Sequence, residues 1–114
     1  MLEHDNRPWG SWQEYLNEPG YRVKRLVVLP GKRLSLQSHA LRSEVWVVVA
    51  GTGEVTIGGE VHLCCPGTVF EVPVNVKHRI ASAPDDVLVI VETQLGVCRE
   101  DDIVRYEDDY GRAE

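Results

Sequence analysis

Two histidines, a carboxylate and an amide stand at spacings that suit a metal site. Gln37 and His39 are two apart, so on one β-strand both side chains point to the same face. A turn through residues 40–43 brings Glu44 back on the neighbouring strand. A second segment, Gly67-Thr68-Val69-Phe70-Glu71-Val72-Pro73-Val74-Asn75-Val76-Lys77-His78, ends in another histidine at a strand start. In a closed barrel these four side chains converge inside. Two imidazoles, one carboxylate and one amide oxygen make a mixed nitrogen–oxygen site for one divalent ion. Zinc is the leading expectation, with manganese, iron, cobalt and nickel also compatible. Polar groups buried in such a barrel would otherwise be costly, and coordination removes that cost.

The elements that must position these residues are short apolar runs punctuated by Gly and Pro. Strands are predicted over 21–29, 33–39, 44–49, 54–57, 60–65, 69–72, 77–81 and 87–93. Gly58-Gly59 lies between two β-rich runs and signals a two-residue hairpin, because such turns need positive φ. Helical periodicity is absent, apart from a single turn expected near 11–16. The predicted class is all-β, a sandwich or barrel. It forms one domain over 1–114, with an N-terminal arm (about 1–20) and an acidic C-terminal tail (about 98–114).

Composition narrows the partners. A chain of 114 residues, 43% hydrophobic and 26% charged, has room for one ordinary globular core. Its longest apolar run, 45–50, is strand-sized, against the roughly 20 residues a bilayer-spanning helix needs, so no membrane partner is expected. Met1-Leu2-Glu3-His4-Asp5 carries acid where a secretory signal would be basic, and a cytoplasmic protein is expected. Cys64 and Cys65 are adjacent and face opposite ways in a strand, and Cys98 has no evident partner. The three thiols therefore read as small hydrophobes. A net charge of −6 repels a polyphosphate backbone, so no nucleic acid is expected. Much of the acid lies in Glu100-Asp101-Asp102 and Glu107-Asp108-Asp109. Residues 21–63 are locally basic: Arg22, Lys24, Arg25, Lys32, Arg33 and Arg42 face only Glu44, Glu54 and Glu60. That balance suits a small anionic ligand.

The joint spacing resembles a known family. Gly31-x5-Gln37-x-His39-x4-Glu44-x6-Gly51 is similar to the first cupin motif, with Gln in the place of its first His. Gly67-x5-Pro73-x-Asn75-x2-His78 resembles the second motif, with Asn75 where Gly is usual. Fifteen residues separate the two. A narrower resemblance covers nearly the whole chain. Arg7-Pro8-Trp9-Gly10-Ser11-Trp12, Tyr21 to Leu26, Leu34 to Gln37, Glu44 to Val49, His78-Arg79 and Asp101 to Arg112 are similar to the type II mannose-6-phosphate isomerase domain. In bacteria that domain commonly forms the C-terminal part of a bifunctional enzyme with mannose-1-phosphate guanylyltransferase. This chain begins just before Arg7-Pro8-Trp9-Gly10 and has no Gly-rich nucleotide loop, so guanylyl transfer is not expected of it. It departs from the family at Ala40, Leu41 and Val45, where histidines are usual, and at Asn75-Val76-Lys77, where Gly-Thr-Pro is usual.

The resemblance implies a cupin fold, a small jelly-roll-like barrel, and metal-dependent interconversion of mannose 6-phosphate and fructose 6-phosphate. The metal would stabilise the developing enediolate, a side-chain base would carry the proton, and a guanidinium would hold the phosphate. Arg33, Arg42 and Arg79 are the candidate phosphate anchors. The base is left open among Lys77, Glu71 and His62, and Trp46 is placed to line the sugar pocket. Trp9 and Trp12 are expected to pack the arm on the barrel or on a second subunit, with 7–12 the contact of a homodimer. Two other readings stay open: a non-catalytic sugar-binding or regulatory cupin, and a small metal-dependent oxygenase.

Overall fold

Strict alternation sets the inward face of each central strand. In the computed structural model, which describes residues 3–111, the segment Arg42–Ala50 is one strand that buries Arg42, Glu44, Trp46 and Val48. Met1, Leu2 and residues 112–114, with Arg112 of the family-like run, lie outside the described residues. In chain order the strands are β1 (His4–Arg7), β2 (Gly10–Glu18), β3 (Tyr21–Val28), β4 (Leu36–Ser38), β5 (Arg42–Ala50), β6 (Gly53–Ile57), β7 (Glu60–Cys64), β8 (Val69–Val72), β9 (His78–Ser82), β10 (Leu88–Gly96) and β11 (Val104–Glu107). They form a six-stranded sheet in the order β1-β2-β3-β10-β5-β8 and a five-stranded sheet in the order β11-β4-β9-β6-β7, with every pairing antiparallel. Among the described residues no helix is long and apolar enough to cross a membrane.

Register turns the inward faces into rows. Trp12, Leu26, Ile90 and Val48 are successive Cα partners across β2, β3, β10 and β5. The next row holds Glu14, Lys24, Glu92 and Trp46, and the one beyond it Arg22, Gln94 and Glu44. One end of the interior is therefore apolar, with Val28, Val48, Val55, Leu88 and Ile90 fully buried. The other end is lined by buried charge.

The structure corrects two expectations, the turn near 11–16 and the bounds of the second predicted strand. The predicted arm is β1 and β2, and the turn expected near 11–16 is extended chain. A register shift between Glu14 and Leu16 breaks the alternation there, which hides the strand from a period-two reading. Trp9 and Trp12 are 5% and 8% exposed within the one chain and belong to its core, the first of the two placements expected for them. Within the predicted acidic tail, Val104–Glu107 form β11, paired with β4, and Glu107 and Asp109 pair with Arg79 and Arg33 of the barrel. Arg33 makes only an isolated bridge to Ala81, so β4 is shorter than the predicted 33–39.

Two backbone positions fix the loops near the site. Gly51 has φ +81, and a Cβ there would sit 1.9 Å from the Val87 carbonyl oxygen, so no side chain fits. Asn75 has φ 63, the left-handed region that Asn tolerates better than other non-glycine residues, which accounts for Asn where Gly is usual.

Candidate metal centre and cavity

His39 follows β4, Glu44 lies on β5 and His78 opens β9, so two sheets contribute to one cluster. His39 Nε2 is 3.3 Å from Glu44 Oε2, and His78 Nε2 is 3.9 Å from Glu44 Oε1. Ligand atoms of the three all lie within 4.8 Å of one another, and all three residues are buried. Each imidazole is oriented by main chain. His39 Nδ1 donates to the Asp102 carbonyl at 2.6 Å, and His78 Nδ1 donates to the Val76 carbonyl at 3.0 Å. With Nδ1 protonated, each Nε2 presents a lone pair. His78 Nε2 is buried and has no hydrogen-bond partner among the described residues. A buried lone pair facing a carboxylate and a second lone pair is the donor set a divalent cation satisfies, so the residues fit a metal.

Electrostatics agree with that fit. Burial, then the charge of Arg42, lowers His39 to about 4, against the carbonyl of Asp102, which raises it. Burial also lowers His78. Both imidazoles are therefore neutral at pH 7, the form that binds metal. Gln37 is the Cα partner of His78 and lines the same cavity, and its Oε1 accepts a hydrogen bond from Ser35 Oγ at 2.9 Å. Trp46 lines the cavity too, and its Nε1 donates to Glu44 Oε1 at 2.9 Å.

The other expected residues separate into two groups. Arg42 and Arg79 line the cavity, but their guanidinium groups are engaged. Arg42 Nε donates to Glu44 Oε2 at 2.9 Å, Nη1 to the Arg99 carbonyl at 3.2 Å, and Nη2 lies 3.2 Å from His39 Nε2. Arg79 donates to the Leu34 carbonyl and, at 3.0 Å, to Glu107. Arg33, Lys77, Glu71 and His62 lie outside the cavity lining. Arg33 is exposed and forks onto Asp109, Lys77 lies 4.3 Å from the Tyr106 ring centroid, Glu71 is exposed on edge strand β8, and His62 packs on Phe70.

Sequence reasoning missed a buried acid of the cavity wall. Glu92 is buried on β10 between Lys24 and Trp46. Burial, then the charge and hydrogen bond of Glu44, pushes it up to about 8, with Lys24 and Arg42 opposing, so it holds its proton at pH 7. Gln94 Nε2 donates to Glu92 Oε2 at 3.3 Å. The signal was parity: Glu92 and Gln94 share a face with Leu88 and Ile90.

Residues 2–108 match the family model described as mannose-6-phosphate isomerase C-terminal. The chain belongs to that family. It is 45% identical to the xanthan biosynthesis protein XanB of Xanthomonas campestris pv. campestris, over 93% of this chain and 23% of that protein. It is 43% identical to the mannose-1-phosphate guanylyltransferase ManC of Salmonella typhimurium and 42% to the alginate biosynthesis protein AlgA of Pseudomonas aeruginosa, in each case over 93% of this chain and 22% of the relative. The chain thus spans under a quarter of the length of the curated relatives it matches. In fold it is similar to the capsular polysaccharide assembling protein CapF of Staphylococcus aureus, with TM-score 0.82 and 20% identity over 94% of this chain and 34% of that one. It is also similar to KdgF from Halomonas sp., with TM-score 0.74 and 23% identity over 89% of each chain. The fold is that of a cupin.

The family is one of enzymes, but the expected interconversion of mannose 6-phosphate and fructose 6-phosphate is overturned for this chain. Its relatives are named for guanylyl transfer or for polysaccharide biosynthesis, and it corresponds to less than a quarter of each. The geometry points the same way, since none of the three base candidates lines the cavity.

Proposed function

We propose that this domain holds one divalent metal ion through His39, Glu44 and His78, with Gln37 as a fourth donor, and binds a mannose phosphate beside it. The observation that carries the metal is the buried, unpartnered Nε2 of His78, facing Glu44 and His39. Zinc suits the nitrogen–oxygen set best, and manganese, iron, cobalt and nickel are compatible with it. A bound ion would supply Lewis acidity toward the oxygens of the sugar. The chain's own residues supply the rest. Arg42 and Trp46 fix the carboxylate of Glu44, and protonated Glu92 offers a hydrogen-bond donor. The cavity is lined by Arg7, Lys24, Arg42, Arg79 and Arg105 against ionised Glu100, with Glu92 protonated, a cationic surplus that favours a phosphorylated ligand. The choice of sugar rests on the Salmonella typhimurium relative, named for mannose 1-phosphate, and the setting in polysaccharide precursor supply rests on the names of the xanthan and alginate relatives.

Metal analysis of the purified protein tests the first half: stoichiometric metal is expected, with none retained by His39→Ala or His78→Ala. Calorimetry of the metal-loaded protein tests the second, with mannose 1-phosphate and mannose 6-phosphate expected to bind more tightly than mannose. Full metal retention in both variants, or equal binding of mannose and its phosphates, would overturn the corresponding half.

A further inference from the structure

Two buried cations, Lys24 in the cavity wall and Arg22 two residues before it on the same strand, share an anion that comes from a loop. Arg22 and Lys24 are two apart on the inward face of β3 and are 3% and 5% exposed. Arg22 Nε donates to Glu14, a buried residue of β2, and Arg22 Nη1 donates to Glu100 Oε1. Lys24 Nζ donates to the same Glu100 oxygen at 2.7 Å and lies 4.1 Å from the Trp12 ring centroid. The two carboxylates differ in kind. Glu14 is fixed in the sheet opposite Lys24. Glu100 lies between β10 and β11, outside any strand, with its side chain 54% exposed. Among the described residues, and apart from Glu3, which reaches Arg22 from the surface at 3.2 Å, Glu14 and Glu100 are the carboxylates bonded to this pair. Of these, Glu14 is the one buried carboxylate bonded to the two buried cations, and the rest of their charge is met from exposed side chains, Glu3 on Arg22 and Glu100 on both.

We propose that Arg22 and Lys24 form a subsite for the phosphoryl group of the ligand, which Glu100 occupies in the free protein and leaves when that group arrives. The subsite rests on the sugar-phosphate reading above and names the residues that read the phosphate. Lys24 and Glu100 line the same cavity as His39 and His78, so a sugar reaching the metal ligands could place its phosphate here. A phosphoryl group offers three oxygens where Glu100 bridges both cations with one, and it brings more charge. Burial works against Glu100's charge, yet Lys24 and then Arg22 hold its carboxyl down to about 2, so Glu100 sits on the pair as an anion at any physiological pH.

Calorimetry with inorganic phosphate alone separates this from the metal and the sugar. Glu100→Gln removes the resident anion without changing its shape, and phosphate is expected to bind about tenfold more tightly or better than to the wild type. Lys24→Met is expected to lose phosphate binding, and Lys24→Arg to retain it, which guards against a folding defect in the methionine variant. Metal content stays at the wild-type level in all three, because none of these side chains bonds His39, Glu44 or His78. Phosphate binding by Glu100→Gln no tighter than wild type, or undiminished in a folded Lys24→Met, would overturn the subsite. Loss of mannose or metal binding with the phosphate pattern intact would count against the proposed function and leave the subsite standing.

Discussion

Asp102 acts on His39 in two ways. Its carbonyl accepts the Nδ1–H of His39, and its carboxylate accepts the backbone N–H of Ala40 and of Leu41, both at 2.9 Å. The Ala40 bond, then the Leu41 bond, holds the Asp102 carboxyl below the usual range, although burial works the other way. Asp102→Ala keeps the carbonyl but frees the backbone after His39, which the carboxylate holds. Metal affinity is expected to fall up to about 10-fold, the low end of the effect of disturbing an outer partner, read by competition with a chromophoric chelator. Unchanged affinity would leave the main-chain carbonyl as the whole of its contribution. Trp46→Phe keeps the ring but strips one bond from a buried carboxylate, and should cost about 1–3 kcal/mol in urea unfolding. At this scale the ligands were legible because their spacing is a motif. Asp102 was not, since it sits in an acidic run and half of its work is done by its main chain. Glu92 was hidden by its apolar neighbours.

Loops tie the two sheets together at the site. The Asn75 N–H donates to the His39 carbonyl at 2.7 Å, joining the turn before β9 to the one before β5. Since Asn75 is left-handed, Asn75→Ala should destabilise by about 1–2 kcal/mol while Asn75→Gly should not, measured by chemical denaturation. Equal losses in both would shift the explanation to the Asn side chain. The eight central strands were legible because alternation and Gly or Pro punctuation agree over 21–93. The outer strands were not. β2 carries a register shift, and β1 and β11 are four residues each with little apolar signal. What holds β11 is long-range: Arg79 to Glu107, Arg33 to Asp109, and Ser38 Oγ to Tyr106 at 2.9 Å. None of these can be read from local pattern.

The whole molecule buries charge at one end of its interior, and that makes its stability depend on pH in both directions when metal is stripped. His39 folds with its pKa lowered to about 4 and His78 with its pKa lowered too, both from 6.5. As pH falls below 6.5, the unfolded chain takes up these protons before the folded one does, so stability is lost. Below 4.5 the loss deepens, because Glu100, at about 2, and Glu14 are also held low in the fold. Burial leads the opposition at Glu14, where bonds from the Glu3 N–H and Arg22 prevail. Glu92 runs the other way. Its folded pKa is raised from 4.5 to about 8, so between those values the folded state holds a proton that the unfolded state has released, and stability falls as pH rises. From 4.5 to 6.5 the two histidines outweigh Glu92. From 6.5 to 8 Glu92 acts alone, with a slope on the order of 1 kcal/mol per pH unit. The chelator-treated protein should therefore melt highest near pH 6.5, and Glu92→Gln should remove the decline above that pH while leaving the acid side intact. Thermal melts from pH 4 to 9 read both. A melting temperature that keeps rising to pH 8, or a Glu92→Gln profile that declines as the wild type does, would show that Glu92 does not stay protonated in the fold.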